Sequence, residues 1–214
     1  MALDHPLLAT LRQHRLVSVI RAATADAAYE AARAVARGGI RFVEVTYSCP
    51  DVPGILRRLQ GTDAILGAGT VLTADEAVAA VGAGAQFLIA PDCTAEVAEV
   101  ARRLGVLYCP GAYTTTEILA ARRLGAHVVK VYPVGVAGGP DYIKVIRDPI
   151  PNVALLAAGG THLENIVPFF EAGAVACGLG ASLADPKLAL AGEFDAIEAR
   201  AREFVTRAAS HAAG

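Results

Sequence analysis

The chain has 214 residues, 54% of them apolar and 19% charged, with a formal net charge of −2. That balance supports a folded domain with a sizeable core and excludes a disordered chain. It also excludes a basic nucleic-acid footprint and a polybasic membrane patch, and no apolar run approaches the ~18 residues that cross a bilayer.

The opening stretch "MALDHPLLATLRQHR" lacks the basic-then-apolar order of a signal peptide and is expected to form a short amphipathic helix. A strand follows at "LVSVI" (Leu16–Ile20), with Arg21 at its end, and Thr24 is placed to cap the next helix. Five later segments then share one grammar: "ARAVARGGIRFVEVT", "AVAAVGAGAQFLIAP", "AEVARRLGVLYCP", "LAARRLGAHVVKVYP" and "VPFFEAGAVACGLG". In each, a helix ends at glycine and a β-branched or aromatic strand begins at once. Further strands fall at "AILGAG" from Ala64 and "NVALLAAGG" from Asn152, and Thr73 and Thr94 are candidate helix caps.

Clean units repeat at about twenty residues, the length of a compact strand-plus-helix unit. Eight such units with uniformly apolar strands point to a parallel sheet covered by helices, that is a (β/α)8 TIM barrel. One α/β domain over 1–214, with the short N-terminal helix added, is the expected organisation; a doubly wound open sheet is the alternative.

A barrel of this kind carries its chemistry at the C-terminal ends of the strands. There the sequence places Arg21 after strand one, Glu44 and Thr46 on strand two, Thr70 after strand three and Lys130 on strand six. Period-two alternation puts Phe42, Glu44 and Thr46 on one face, opposite Val43 and Val45, and puts Val128, Lys130 and Tyr132 opposite His127, Val129 and Val131. Glu44 and Lys130 therefore both point into the barrel. One account of such a pair is a structural ion pair, which is weak for stability once desolvation is counted. The other is an amine used as a nucleophile, with a carboxylate to relay protons. Tyr132 either forms part of the wall of the same pocket or plugs the barrel top, and His127 is expected to face the helices.

"AAGGTH" and "GLGAS" place Gly159 and Gly160, then Gly180, Ala181 and Ser182, just before helical turns. Glycines there let backbone N–H groups approach an anion, and a single phosphate is the expected ligand of the two loops. His162 is either a phosphate contact or a capping residue. Cys49, Cys93, Cys109 and Cys177 form no C-x-x-C pair and no zinc spacing, so no metal is expected and they are taken as core thiols of a reducing cytoplasm.

The stretches "GGIRFVEVT", "ILGAGTVL", "GAQFLIAPD", "CPGAYTTTE", "VVKVYP" and "AAGGTHLENI" together resemble the 2-keto-3-deoxy-6-phosphogluconate (KDPG) and 4-hydroxy-2-oxoglutarate (KHG) aldolase family. The resemblance implies a class I aldolase in which Lys130 forms a Schiff base, Glu44 is the acid/base partner, Thr70 helps hold the pyruvate portion, and Pro91 is a further substrate-binding residue. It implies no cofactor, pyruvate and a 2-keto acid as small-molecule partners, and a homotrimer. Two departures stand out. Family members often carry an arginine two residues after "EVT", where this chain has Ser48, so Arg21 is expected to meet the substrate carboxylate instead. "TGG" is replaced by Ala158-Gly159-Gly160, as in relatives acting on the galacto epimer. A phosphate-sugar epimerase on the same barrel and a non-catalytic binding barrel are the alternatives; D-x-K-x-x-D framing of the lysine, typical of phosphate-sugar decarboxylases, is missing from "HVVKVYP".

Overall fold

The protein is described by a computed structural model over residues 4–212. In chain order its elements are α1 (Pro6–His14), β1 (Leu16–Ile20), α2 (Ala25–Arg37), β2 (Phe42–Thr46), α3 (Val52–Leu59), β3 (Ile65–Gly69), α4 (Ala74–Gly82) and β4 (Phe87–Ile89). Next come α5 (Ala95–Leu104), β5 (Leu107–Cys109), β6 (Gly111–Ala112), α6 (Thr115–Arg123), β7 (Val129–Val131), α7 (Pro140–Arg147) and β8 (Leu155–Ala158). The last are α8 (Ile166–Glu171), β9 (Ala176–Leu179), α9 (Pro186–Ala191) and α10 (Phe194–Ala212).

Every pairing is parallel, in the order β5-β4-β3-β2-β1-β9-β8-β7-β6. β5 and β6 are one strand broken at Pro110, which has no N–H to give the ladder. The first half pairs with β4 and the second with β7. Lys130 N donates to Pro110 O at 2.8 Å and Tyr132 N to Ala112 O at 3.0 Å, which closes the sheet on itself. The nine segments thus fill eight barrel positions, as the repeat predicts. The strand expected from Asn152 begins only at Leu155, after a turn.

The alternation divides the core in two. Val17, Phe42, Phe87, Leu107, Val128 and Leu156 pack inside the barrel, and Leu11 of α1 closes its N-terminal floor. Val43, Val45, Val129 and Val131 pack outward against the helices. α10 covers the outside through Ile197, Ala201 and Phe204, as its amphipathic pattern predicts. Among the described residues no helix is long and apolar enough to cross a membrane.

Caps at Thr24 and Thr73 accept from Ala27 N and Glu76 N. Thr94 differs from expectation: its hydroxyl is buried and makes no hydrogen bond, so α5 starts without a side-chain cap. His127 also differs. It lies just below β7, accepts from Tyr108 N at 3.0 Å and sets its ring 4.9 Å from that of His5. Burial lowers its pKa to about 4, so the ring is neutral and serves as an acceptor tying the barrel floor together.

Inside the barrel, residue size is set by neighbours across the strands. A Cβ on Gly67 would lie 2.3 Å from the Phe87 ring, which itself tilts against Phe42 at 5.6 Å between centroids. Gly67→Ala is therefore expected to destabilise by about 1–3 kcal/mol in equilibrium urea unfolding. Gly82→Ala, in a helix with nothing within 4 Å of the new methyl, should be neutral or stabilising.

Candidate active site

Glu44 sits on β2 with 1% of its surface exposed. Its side chain fits because the neighbouring strand carries Gly69, where a Cβ would lie 1.7 Å from Glu44 Oε1. That oxygen is buried and accepts no hydrogen bond. Burial raises the carboxyl pKa above its usual value, while Lys130 and then Arg21 pull it back down. A carboxyl tuned upward in this way keeps its proton more readily than a free one and is placed to hold and return it.

Lys130 lies on β7, 5% exposed, with its Nζ 4.9 Å from the centre of the Tyr132 ring. Among the described residues no ion pair joins it to Glu44. The two still share one interior: the enclosed Cys109 thiol, pushed up to about 12 by burial, feels Lys130 and Glu44 in opposite directions. A buried amine and a buried carboxyl held apart make a poor stabilising pair and a good reactive one.

Lys130 opens into a cavity of about 410 Å³ at the C-terminal end of the strands, walled by Arg21, Tyr132 and the turns after β8 and β9. Gly159 and Gly160 there have φ of 76° and 104°. Side chains are barred as well: a Cβ would meet the Tyr132 ring at 2.9 Å and Gly135 Cα at 2.7 Å, respectively. Among the described residues, the amides of Gly160, Thr161, Ala181 and Ser182 donate no hydrogen bond. Ser182 Oγ, on the same wall, is buried and unpartnered. Four free amides and an orphan hydroxyl form a ready cradle for an anion.

Each sequence-predicted residue can now be placed. Glu44, Lys130, Arg21, Tyr132, Gly159, Gly160, Gly180, Ala181 and Ser182 gather at this end of the barrel, all but Glu44 on the cavity wall itself. Thr70 and Pro91 also follow their strands at this end but do not line the cavity. Thr70 adopts φ 57°, a left-handed backbone that costs a β-branched residue about 1–3 kcal/mol. Strain of that kind collects at functional sites.

The supporting residues were missed. Thr161 Oγ1 donates to Gly178 O at 2.5 Å, locking the turn after β8 to β9. Asn165 Oδ1 accepts from His162 N and its Nδ2 donates to Gly160 O, both at 2.8 Å, fixing the glycine turn. His162 borders the cavity with its Nδ1 2.6 Å from Glu164. The polar run after the glycine pair was the available signal.

The profile of the KDPG and KHG aldolases matches residues 7–200. The chain belongs to that family. It is 34% identical over 173 residues to a 2-dehydro-3-deoxy-6-phosphogalactonate aldolase of Escherichia coli K12, spanning 78% of this chain and 83% of the relative. The solved native KDPGal structure superposes with a TM-score of 0.82 at 31% identity, covering 93% of this chain and 96% of the other. A KDPG aldolase from Legionella pneumophila, holding pyruvate as a covalent carbinolamine, superposes with a TM-score of 0.83 at 26% identity over 91% of this chain and 96% of that one.

Aldolase membership makes this chain a lyase and removes the epimerase and the non-catalytic barrel. Both departures from the family pattern are visible in the geometry. Ser48 turns its hydroxyl back onto Thr46 at 2.5 Å and is not part of the cavity wall, whereas Arg21 is. Ala158 lies on that wall and offers a methyl where the family often has a hydroxyl.

The raised Glu44 pKa fixes a sign for stability. The folded state keeps a proton that the unfolded chain releases near 4.5, so this contribution is full below that pH and is lost as pH rises through the folded value. Glu44→Gln is expected to remove that decline, making the variant more stable than the parent above the window. Denaturant unfolding at several pH values checks this; parallel stability–pH curves for the two proteins would contradict it.

Proposed function

We propose that this aldolase works through a Schiff base on Lys130 and reversibly cleaves a 2-keto-3-deoxy-6-phospho sugar acid, KDPG or its galacto epimer, with 4-hydroxy-2-oxoglutarate as an unphosphorylated variant. The observation that carries the proposal is the pairing of two features on one cavity. A buried lysine that makes no ion pair among the described residues stands at one side, and amides without a partner there, with an unpartnered serine hydroxyl, stand at the other. The amine suits a ketone and the cradle suits a phosphate.

The steps follow from the groups present. Lys130 Nζ adds to the C2 ketone and the carbinolamine loses water, leaving a protonated imine that acts as an electron sink. Glu44, through one water, removes the C4 hydroxyl proton. The C3–C4 bond breaks, its electrons settle as an enamine, and the C4 fragment leaves as an aldehyde: glyceraldehyde 3-phosphate from a phosphorylated substrate, glyoxylate from 4-hydroxy-2-oxoglutarate. Protonation at C3 and addition of water to the imine release pyruvate and restore the amine. Arg21 meets the substrate carboxylate with a bidentate guanidinium. Thr70 and Pro91 flank the pyruvate end, Tyr132 forms the wall beside the imine, and Gly159, Gly160, Gly180, Ala181 and Ser182 receive the phosphate.

Support for the galacto epimer comes from Ala158 and from the 34% identity to the galactonate enzyme. A homotrimer in the cytoplasm belongs to the same proposal. Leu72, Tyr113 and Val136 expose apolar surface at the catalytic end, where a second copy would cover it, and all four thiols are unbridged. Light scattering should then give three chains per particle.

Incubation with pyruvate and borohydride, then peptide mass spectrometry, should place a reduced adduct on Lys130 alone. Lys130→Ala should lose cleavage while keeping the parent's circular dichroism, and retained turnover would refute the role. Glu44→Gln should still trap pyruvate but turn over at least ~100-fold more slowly. Rates on the two phosphorylated epimers and on 4-hydroxy-2-oxoglutarate then rank the substrates.

A further inference from the structure

Arg21 stands one residue beyond β1, on an exposed loop, yet its task needs a fixed guanidinium. The β1–β2 ladder ends at Ile20 opposite Val45, so regular backbone pairing stops just before the residue that matters. Beyond that point side chains from the end of β2 continue the network. Thr46 Oγ1 donates to Ile20 O at 2.9 Å, and Cys49 Sγ donates to the same carbonyl at 3.5 Å. On the far side of Arg21, Ala22 N donates to Cys49 Sγ at 3.3 Å. Because the Thr46 hydroxyl is already donating, the Ser48 hydroxyl at 2.5 Å donates to it in turn and orients it. Thr46 and Cys49 are fully enclosed or nearly so, at 0% and 4% exposure, so water does not compete for these bonds.

The peptide groups on both sides of Arg21 are thus held by one short stretch, Thr46–Cys49. The guanidinium, for its part, acts electrostatically on both Glu44 and Cys49, and one of its nitrogens lies 3.5 Å from the point where a Gly180 Cβ would stand. It therefore spans from β1 to the turn after β9, across the cavity mouth. We propose that Thr46 and Cys49 are positioning residues for Arg21, with Ser48 orienting Thr46, so that a segment with no cation of its own sets how tightly the substrate anion is held. The proposal rests on the aldolase reading above.

The test is steady-state cleavage kinetics with the best phosphorylated 2-keto acid substrate. The variants are Thr46→Val and Cys49→Ala, each alone and combined with Arg21→Gln, beside the conservative Thr46→Ser and Cys49→Ser. Thr46→Val and Cys49→Ala should each raise KM about fivefold with kcat within about twofold of the parent. The serine variants should recover most of the loss. In the Arg21→Gln background, where KM is already high, neither change should raise it further, because their effect runs through the missing guanidinium. Unchanged KM in both single variants overturns the proposal, and so does a rise of equal size with and without Arg21. If Cys49→Ala does not fold, Thr46→Val, which keeps the side chain's shape, carries the same comparison. Borohydride trapping of pyruvate separates the two layers: a parent enzyme that forms no Lys130 adduct overturns the aldolase reading and this proposal with it. A parent that forms the adduct while Thr46→Val and Cys49→Ala both keep the parent KM overturns only the positioning role.

Discussion

The enclosed carboxyl of Glu44 is the constraint around which the barrel is arranged. One of its oxygens is buried without a donor, a condition that costs about 1–3 kcal/mol and persists only where the surroundings enforce it. Gly69 on the adjoining strand vacates the space, and cations at Lys130 and Arg21 limit the cost of ionising it. The strand that carries Glu44 changes character within two residues, from Phe42 in an apolar interior to an ionisable group at the reactive end. Its outward face, Val43 and Val45, stays apolar and keeps the helices in place. Stability is thus supplied from outside the barrel and from its floor, and chemistry is confined to the inner face near the mouth.

The same division of labour governs the loops. Left-handed glycines at 159 and 160 turn the backbone out of the strand and leave the amides of Gly160 and Thr161 without a partner among the described residues. Freed amides in a mobile loop would be filled by water and would bind little. Here Thr161 and Asn165 tie the turn to β9 and to itself, so the donors converge before any ligand arrives. A cavity with an amine on one wall and pre-set amides on the other distinguishes the two ends of a substrate, which is what cleavage of a particular C–C bond requires.

The barrel was legible in the sequence because its strands are uniformly apolar and its helices end at glycine, two local signals that recur unit by unit. Alternation alone brought Glu44 and Lys130 to one interior, since Val43, Val45, Val129 and Val131 leave those two positions no other face. What stayed hidden involves partners far apart in the chain. The repeated segment "AEVARRLGVLYCP" stops at Pro110, and that the strand resumes at Gly111 and closes the barrel is a pairing that only the neighbour across the seam reveals. Thr94 carries the local pattern of a cap, but Tyr108 Oη reaches its carbonyl and the hydroxyl remains unpartnered. Thr161 meets a carbonyl on β9, and Cys49 meets the backbone around Arg21, contacts that no periodicity encodes.

Ser48 shows how a family pattern can lose a cation and keep its chemistry. A serine in place of arginine removes a charge from the end of β2, yet the same segment gains a hydroxyl small enough to turn inward and join Thr46. A guanidinium stands instead at Arg21, just beyond the neighbouring β1, and the Thr46 hydroxyl and Cys49 thiol bond the backbone on either side of it. Moving the guanidinium from one strand to the next changes the side from which it lines the cavity. It also brings the guanidinium next to Gly180 and the turn that carries Ser182. Ala158 contributes only a methyl to the same wall, so that wall has one fewer hydrogen-bonding group than a threonine would give it. Both changes lie at the cavity wall and leave the buried Lys130 and Glu44 untouched, so the wall can vary while the barrel interior stays the same.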